Sequence, residues 1–515
     1  LQISNGTLNV RGSNGTGFVA VNGSYNQLGG ETILFNNLNE IAIQNAELII
    51  NGAFNLQGGK IRFNNNPLAS TGHILRLNGS VINMGNGSIY TDFYGNNPNF
   101  GSLYFSRSGN TDLNITNTSF NLQGVRQIIS NGTTLKLKQG KMICASNTNP
   151  FHDALVVEGT LDVDENRIGS NKKSTYSGMV ITAGGKLRLA NTDGLYGTGN
   201  GTAIDMQGNF RYSLDAASKV EYYGSKTQTV TGTGTGLAIG EHTQYGILHI
   251  NKPNAVAKLE FSNVTVRKQL VLENGLLDLR QYNLQLIGGN TSCITGTAGS
   301  IVSESLDLPN KGLVLVKNAG TSEVNIPFST GNGSVALFTF DPSSGNGDLA
   351  VSTLHTSASN QPLPGGVSNL RIGNEQSAAA LMADRWYHVT ANGITAKVSI
   401  GNDISENWNH PDYMNLPGSL LRWDGAKWDE NGSQINSIHQ NAVTAQTSEF
   451  GYLVAGINPA RYEAAVLEFK GELKNNQVEL EWTSRPSRQV DRFVAERSTD
   501  GIRFEPVFEK TASND

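Results

Sequence analysis

Glu47-Leu48-Ile49-Ile50-Asn51-Gly52-Ala53-Phe54-Asn55-Leu56 is the phrase on which the fold turns. Two short runs with apolar residues at alternate positions flank an Asn-Gly pair. Alternation of this kind puts one face inward and one outward. The phrase returns at His73–Met84, Ala154–Val163, Met179–Leu189 and Gly275–Leu286. Its anchors, Leu48, Leu75, Leu113, Leu135, Leu155, Val180 and Ile204, lie about 20 to 38 residues apart, mostly in the twenties. Simple hairpins repeat at about 8–12 residues, which is too short a period. One coil of a parallel β-helix, with two or three short strands per turn, fits the spacing. Gly is frequent and no 3.6-residue apolar stripe persists for three turns, so a helical repeat is not expected. Residues 1–304 are therefore expected to form a parallel β-helix, or β-solenoid.

The outward positions of this repeat carry Asn, Thr, Ser and Gln more than Lys and Glu. In stacked coils like residues lie above one another. Amide and hydroxyl ladders stabilise such a stack, whereas columns of charge are expected to repel. Composition agrees: 16% of residues are charged, against about 25% in an average globular chain. The triplets starting at Asn5, Asn14, Asn22, Asn78, Asn86, Asn131 and Asn200 fit an N-glycosylation pattern. Asn-Gly is also the preferred pair where φ must be positive, and the turn reading is favoured.

Length and charge bound the function. The 515 residues suggest about three domains. A net charge of −5 offers no basic field for nucleic acid. No apolar run approaches the ~20 residues that span a bilayer. The lone pair Cys144 and Cys293 matches no metal spacing and reads as two core residues, a single disulfide being the alternative. Residue 1 is not Met and no signal peptide follows it, which suggests an interior or processed start.

From about residue 305 to 457 the strands lengthen and their spacing becomes irregular, as in Ala336–Phe340 and Ala396–Ile400. An antiparallel β-sandwich is expected here. After a linker near Asn458-Pro459-Ala460, residues 463–515 read as the first strands of a further β-module. About 50 residues are present where such a module takes ~100, so the protein is expected to continue past Asp515. The fold class expected for the whole chain is all-β.

Two stretches resemble a known group. Ser218-Lys219-Val220-Glu221-Tyr222-Tyr223-Gly224 with Thr227–Val230, and Asn274–Leu279 with Tyr282–Leu286, are similar to repeats of large secreted surface proteins of Bacteroidetes-type bacteria. Gln477–Thr483 and Phe493–Phe504 resemble the fibronectin-III-like module common near the end of such proteins, although Ser484-Arg485-Pro486-Ser487-Arg488 departs from its usual acidic-polar loop. The resemblance implies a cell-surface adhesin or structural protein, exported as cargo of the type IX secretion system. Its partners would be the translocon and attachment machinery, and polysaccharide or other cell-surface molecules. Localisation would be extracellular, at the outer-membrane surface. A role as transport cargo alone is a further reading.

Catalytic signals are sparse. His73, His152, His242, His249, His355, His388, His410 and His439 are scattered without metal spacing, and no GxSxG elbow occurs. Thr231–Gly236 lacks the Lys-Ser/Thr ending of a phosphate loop. The most enzyme-like cluster is Asp162, Asp164 and Glu165 with Arg167, Lys172 and Lys173. It suits a solvated acidic loop, Ca²⁺ ligation by oxygen donors, or a β-helix polysaccharide lyase or glycosidase. The lyase needs further acids from adjacent coils, where Asp193 and Asp205 are available. No cofactor and no catalytic residue is assigned. Trp408, Tyr413, Trp423 and Trp428 sit among polar residues and suit an aromatic glycan or partner surface, although sandwich core is the favoured reading of Trp386, Trp408 and Trp423.

Overall fold

The computed structural model describes residues 1–12, 18–36, 46–64, 72–92, 101–117, 121–144, 151–169, 176–197, 201–205, 209–232, 244–288, 293–303, 312–329, 334–373, 379–406, 418–435, 442–458, 466–475, 477–484, 492–501 and 503–511. The protein is all-β, 63% strand and 2% helical. It forms two compact units: Leu1–Leu354 with His388–Ala396, and His355–Tyr387 with Lys397–Asp515. No helix among the described residues is long and apolar enough to cross a membrane.

The first unit contains a β-solenoid of about nine turns. One turn is Glu47–Ile50, Phe54–Leu56 and Lys60–Asn64; the next is Ile74–Leu77, Val81–Met84 and Ser88–Asp92. Each strand pairs in parallel with its copy one turn on: Leu48 with Leu75, Phe54 with Ile82, Ile61 with Ile89. The apolar alternation explains the closure. Leu48, Ile50, Phe54, Leu56, Ile61 and Phe63 all point inward and are fully buried. Each such side chain contributes about 1.5–3 kcal/mol over its exposed state. Backbone groups at the corners are satisfied between turns, as where Asn51 N donates to Val21 O and Asn78 N to Ile50 O, at 2.9 and 2.8 Å.

The later turns are drawn out. Gln244–Leu259 and Val264–Asp278 are long strands that pair in parallel through several register shifts. Parallel pairing runs past residue 304, through Leu284 with Val314 and Ile301 with Phe328. There the order reverses: Val314 pairs antiparallel with Val351, and Val324 with Phe340.

Antiparallel pairs fill the second unit. Leu421 pairs with Val454, Trp423 with Trp428, and Ser433 with Gln446. Two hairpins follow, Val466–Lys474 with Gln477–Ser484 and Arg492–Arg497 with Glu505–Thr511. Trp482 lies 6.4 Å from the Phe493 ring and 6.0 Å from Phe508. Cys144 and Cys293 are both buried free thiols, in line with the core reading of the sequence.

A charged face of the solenoid as the candidate functional site

The face that begins with Phe54–Leu56 and Val81–Met84 carries two kinds of column. In the early turns it is an amide ladder. Asn55 Nδ2 donates to Asn26 Oδ1, Asn83 Nδ2 to Asn55 Oδ1, and Asn114 Nδ2 to Asn83 Oδ1, at 2.6, 2.6 and 2.8 Å. A second ladder runs up the corner, Asn78 to Asn51 to Asn22, with two bonds of 2.9 Å. Each amide is donor and acceptor at once, so an endless column satisfies itself.

The glycines beside that corner ladder need a correction. Gly6 and Gly132 do take positive φ, at 86° and 82°. Gly23 and Gly79, which follow Asn22 and Asn78 in two of the same triplets, do not. At Gly79 a Cβ would stand 2.1 Å from Gly52 O, and at Gly52 a Cβ would stand 2.5 Å from Gly23 O. Glycine is required there because stacked turns bring backbone against backbone.

Higher up, the same face becomes charged, against the expectation that charge columns repel. Asp112 pairs with Lys136, Lys136 with Asp162, Asp162 with Arg188, Arg188 with Glu221, and Glu221 with His249. The signs alternate in register, and from Asp162 to Glu273 the side chains meet across adjoining turns. Arg188 Nη1 lies 2.7 Å from Asp162 Oδ2, and its Nε lies 3.2 Å from Glu221 Oε2. Lys186 also pairs with Glu221. His249 Nε2 stands 2.7 Å from Glu273 Oε2, and Nδ1 stands 3.7 Å from Glu221 Oε2. Tyr223 donates its hydroxyl to Asp162 Oδ1 at 2.7 Å, and the Arg188 guanidinium lies 4.4 Å over its ring. An open groove of about 410 Å³ follows this column, lined by Lys136, Lys186, Arg188, Glu221, His249 and Glu273 among others.

The column is closed over by its own members. The Glu221 side chain is only 2% exposed. Burial alone would push its carboxyl up, but Lys186 and Arg188 together hold it below the ordinary range. Burial lowers the Arg188 guanidinium, and Glu221 and Asp162 more than restore it. Burial also pushes His249 down, opposed by Glu221 and Glu273. Tyr223 is raised by burial and by its bond to Asp162. Between Asp162 and Glu273 the column is thus a string of paired groups.

The sequence-derived candidates fall in different places. Asp162 is part of the column. Asp164 Oδ1 accepts from Tyr223 at 3.3 Å, and Glu165 pairs with Lys226 at 2.6 Å. Arg167 and Lys141 both turn to Asp205, at 3.4 and 2.6 Å. Asp193 accepts from Gly201 N at 3.1 Å. Among the described residues no three His, Cys, Asp or Glu side chains gather as a metal site. Lys172 and Lys173 lie outside the described residues, as do Trp408 and Tyr413. Trp423, for which the sequence favours core, and Trp428, offered by the sequence as part of an aromatic surface, are both packed inside. Trp428 is fully buried and stacks on Trp386 at 5.0 Å and 9°, while Trp423 lies 5.6 Å from Trp428. Their edges are satisfied locally: Trp428 Nε1 donates to Asn369 O at 3.1 Å.

Sequence reading missed Arg188, Glu221, His249 and Glu273 as partners. The available signal was charge alternating at the coil period, but the coils vary in length and hide it. It also missed a buried cluster in the second unit. Arg385 there clamps Glu406 through Nε and Nη2 at 2.9 and 2.6 Å, and His355 Nδ1 meets Glu406 at 2.8 Å. Burial pushes the neighbouring Asp384 up to about 6, with Glu406 adding and His355 opposing. No family model, curated protein or solved structure matches this chain.

Proposed function

We propose that the chain is a structural and adhesive part of a secreted cell-surface protein. Its solenoid acts as a stiff rod that presents a polar flank to glycans, surfaces or other cells. The observation that carries this reading is the self-satisfied flank: amide ladders and alternating charges run from turn to turn and bind each other. Such columns resist shear along the stack, because every rung is tied to the next by backbone and side chain together. The resemblance of residues 218–290 and 477–504 to Bacteroidetes-type surface proteins supports export through the type IX system and display outside the outer membrane. The test is retention of the purified chain on polysaccharide and on whole cells, with immunolabelling of producing cells. Retention and surface label are expected; a wholly cytosolic label overturns the reading.

A second reading, an extracellular polysaccharide lyase or glycosidase, is favoured by one observation. Glu221 and Glu273 share a groove with Lys186, Arg188 and His249, all from neighbouring turns. A proton-transfer pair needs one free carboxylate or base, whereas these acids are each held by a cation or a histidine. Incubation with pectin, alginate and glycosaminoglycans decides it: release of unsaturated or reducing ends establishes the enzyme, and no product removes it.

A further inference from the structure

A second cleft lies on another part of the same solenoid, and the guanidinium in it keeps donors that none of the described residues takes up. It is an open hollow of about 580 Å³, lined by Leu259, Glu260, Asp278, Arg280, Gln281 and Tyr282, with Val302. Stacking builds it: Lys258 pairs with Asp278, and Asp278 with Val302, on successive turns. Arg280 sits at the tip of a tight turn with φ of 52°. That conformation is held by its backbone N–H, which donates to Asp278 Oδ1 at 2.9 Å. The Arg280 side chain is 54% exposed and approaches Asp278 only through Nε, at 3.6 Å. Its two Nη groups make no hydrogen bond to the described residues. Glu260 is fixed by Lys258 at 3.0 Å and by the Thr229 hydroxyl at 2.9 Å, which together hold its carboxyl low. Tyr282 OH accepts from Gln281 Nε2 at 3.1 Å.

We propose that this cleft binds a neutral oligosaccharide. The proposal rests on the adhesive reading above and names the class of glycan. Three features select the class. First, Glu260 and Asp278 are matched by Lys258 and Arg280, so the cleft carries no net charge; a polyuronate would meet two fixed carboxylates. Second, carboxylates, a forked guanidinium and an amide are the groups that bond vicinal hydroxyls in pairs. Third, Tyr282 lines the cleft and supplies an apolar ring face for the C–H side of a sugar. A small hydrophobic ligand would leave the buried-on-binding polar groups unpaired.

The experiment is calorimetric titration of the full chain with mannopentaose, xylopentaose, cellopentaose and a galacturonate pentamer. At least one neutral pentasaccharide is expected to bind, and the galacturonate not to. Arg280→Ala and Asp278→Asn should each weaken that binding by about tenfold or more. Tyr282→Ala should weaken it as well, and thermal melting of each variant separates loss of a binding contact from loss of fold. Binding of galacturonate alone, unchanged affinity in all three variants, or no saccharide binding by the parent chain each overturns the cleft. If the variants keep full glycan affinity while the parent is retained on cells, the cleft assignment falls and the adhesive reading stands.

Discussion

Glu221 shows how much of this molecule is decided by single buried charges. Its carboxyl is shielded from water, so its ionised form survives only because Lys186 and Arg188 approach it. A carboxyl held below its unfolded value stabilises the fold above that value, and the contribution is lost as pH falls on through the lower folded value. Glu221→Gln is therefore expected to lower the unfolding free energy at pH 7 by about 3 kcal/mol, since two cations lose their partner. The deficit should shrink on acidification, as chemical denaturation at pH 7 and pH 3 would reveal. Asp384 has the opposite sign. Burial raises it from 3.8 to about 6, with His355 opposing and Glu406 adding, so the folded state favours its protonated form. Its stabilising effect is full below pH ~4 and is lost as pH rises through about 6. Asp384→Asn should accordingly gain about 1–2 kcal/mol at pH 7 and nothing at pH 4. A gain of equal size at both pH values would contradict the assignment.

At the scale of the strand and its corner, close stacking is the constraint. Gly79→Ala places a methyl against the Gly52 carbonyl, and the turn has no room to move without breaking the ladders beside it. A loss of about 2–3 kcal/mol is expected. Gly23→Ala is the matched control: it follows the first Asn of the same ladder, has ordinary φ, and its Cβ would meet nothing within 4 Å. It should change stability by less than about 0.5 kcal/mol. The amide ladder yields a second comparison. Asn55→Ala removes a rung that bonds both Asn26 and Asn83, so about 1–3 kcal/mol is lost. Equal melting curves for Gly79→Ala and Gly23→Ala would show that the turns are not in contact.

For the solenoid as a body, stability accumulates turn by turn, because each coil touches only its neighbours. Ile50 is in register with Leu77. Deleting residues 51–77 therefore joins equivalent positions and restores Asn78 to the place of Asn51. The shortened chain should keep its strand-rich far-UV spectrum and lose a modest part of its thermal midpoint. Deleting residues 51–63 puts the strands out of phase with the turns below and should abolish cooperative unfolding.

The sequence by itself determined the all-β class and the solenoid, because alternation and a period in the twenties are local and repeat often enough to be read. Leu48, Ile50, Phe54 and Leu56 point inward as their pattern required. The amide ladder was legible for the same reason: like residues recur at like positions. The charged column was not. Asp162, Arg188, Glu221 and His249 become neighbours only when coils of unequal length are wound to a common register. Nor could the chain text tell a packed tryptophan from an exposed one, since Trp423 and Trp428 sit in polar sequence yet fill the interior of their unit. Periodicity is a property of the strand, whereas the pairing of charges and the burial of an indole depend on which strands the fold brings alongside.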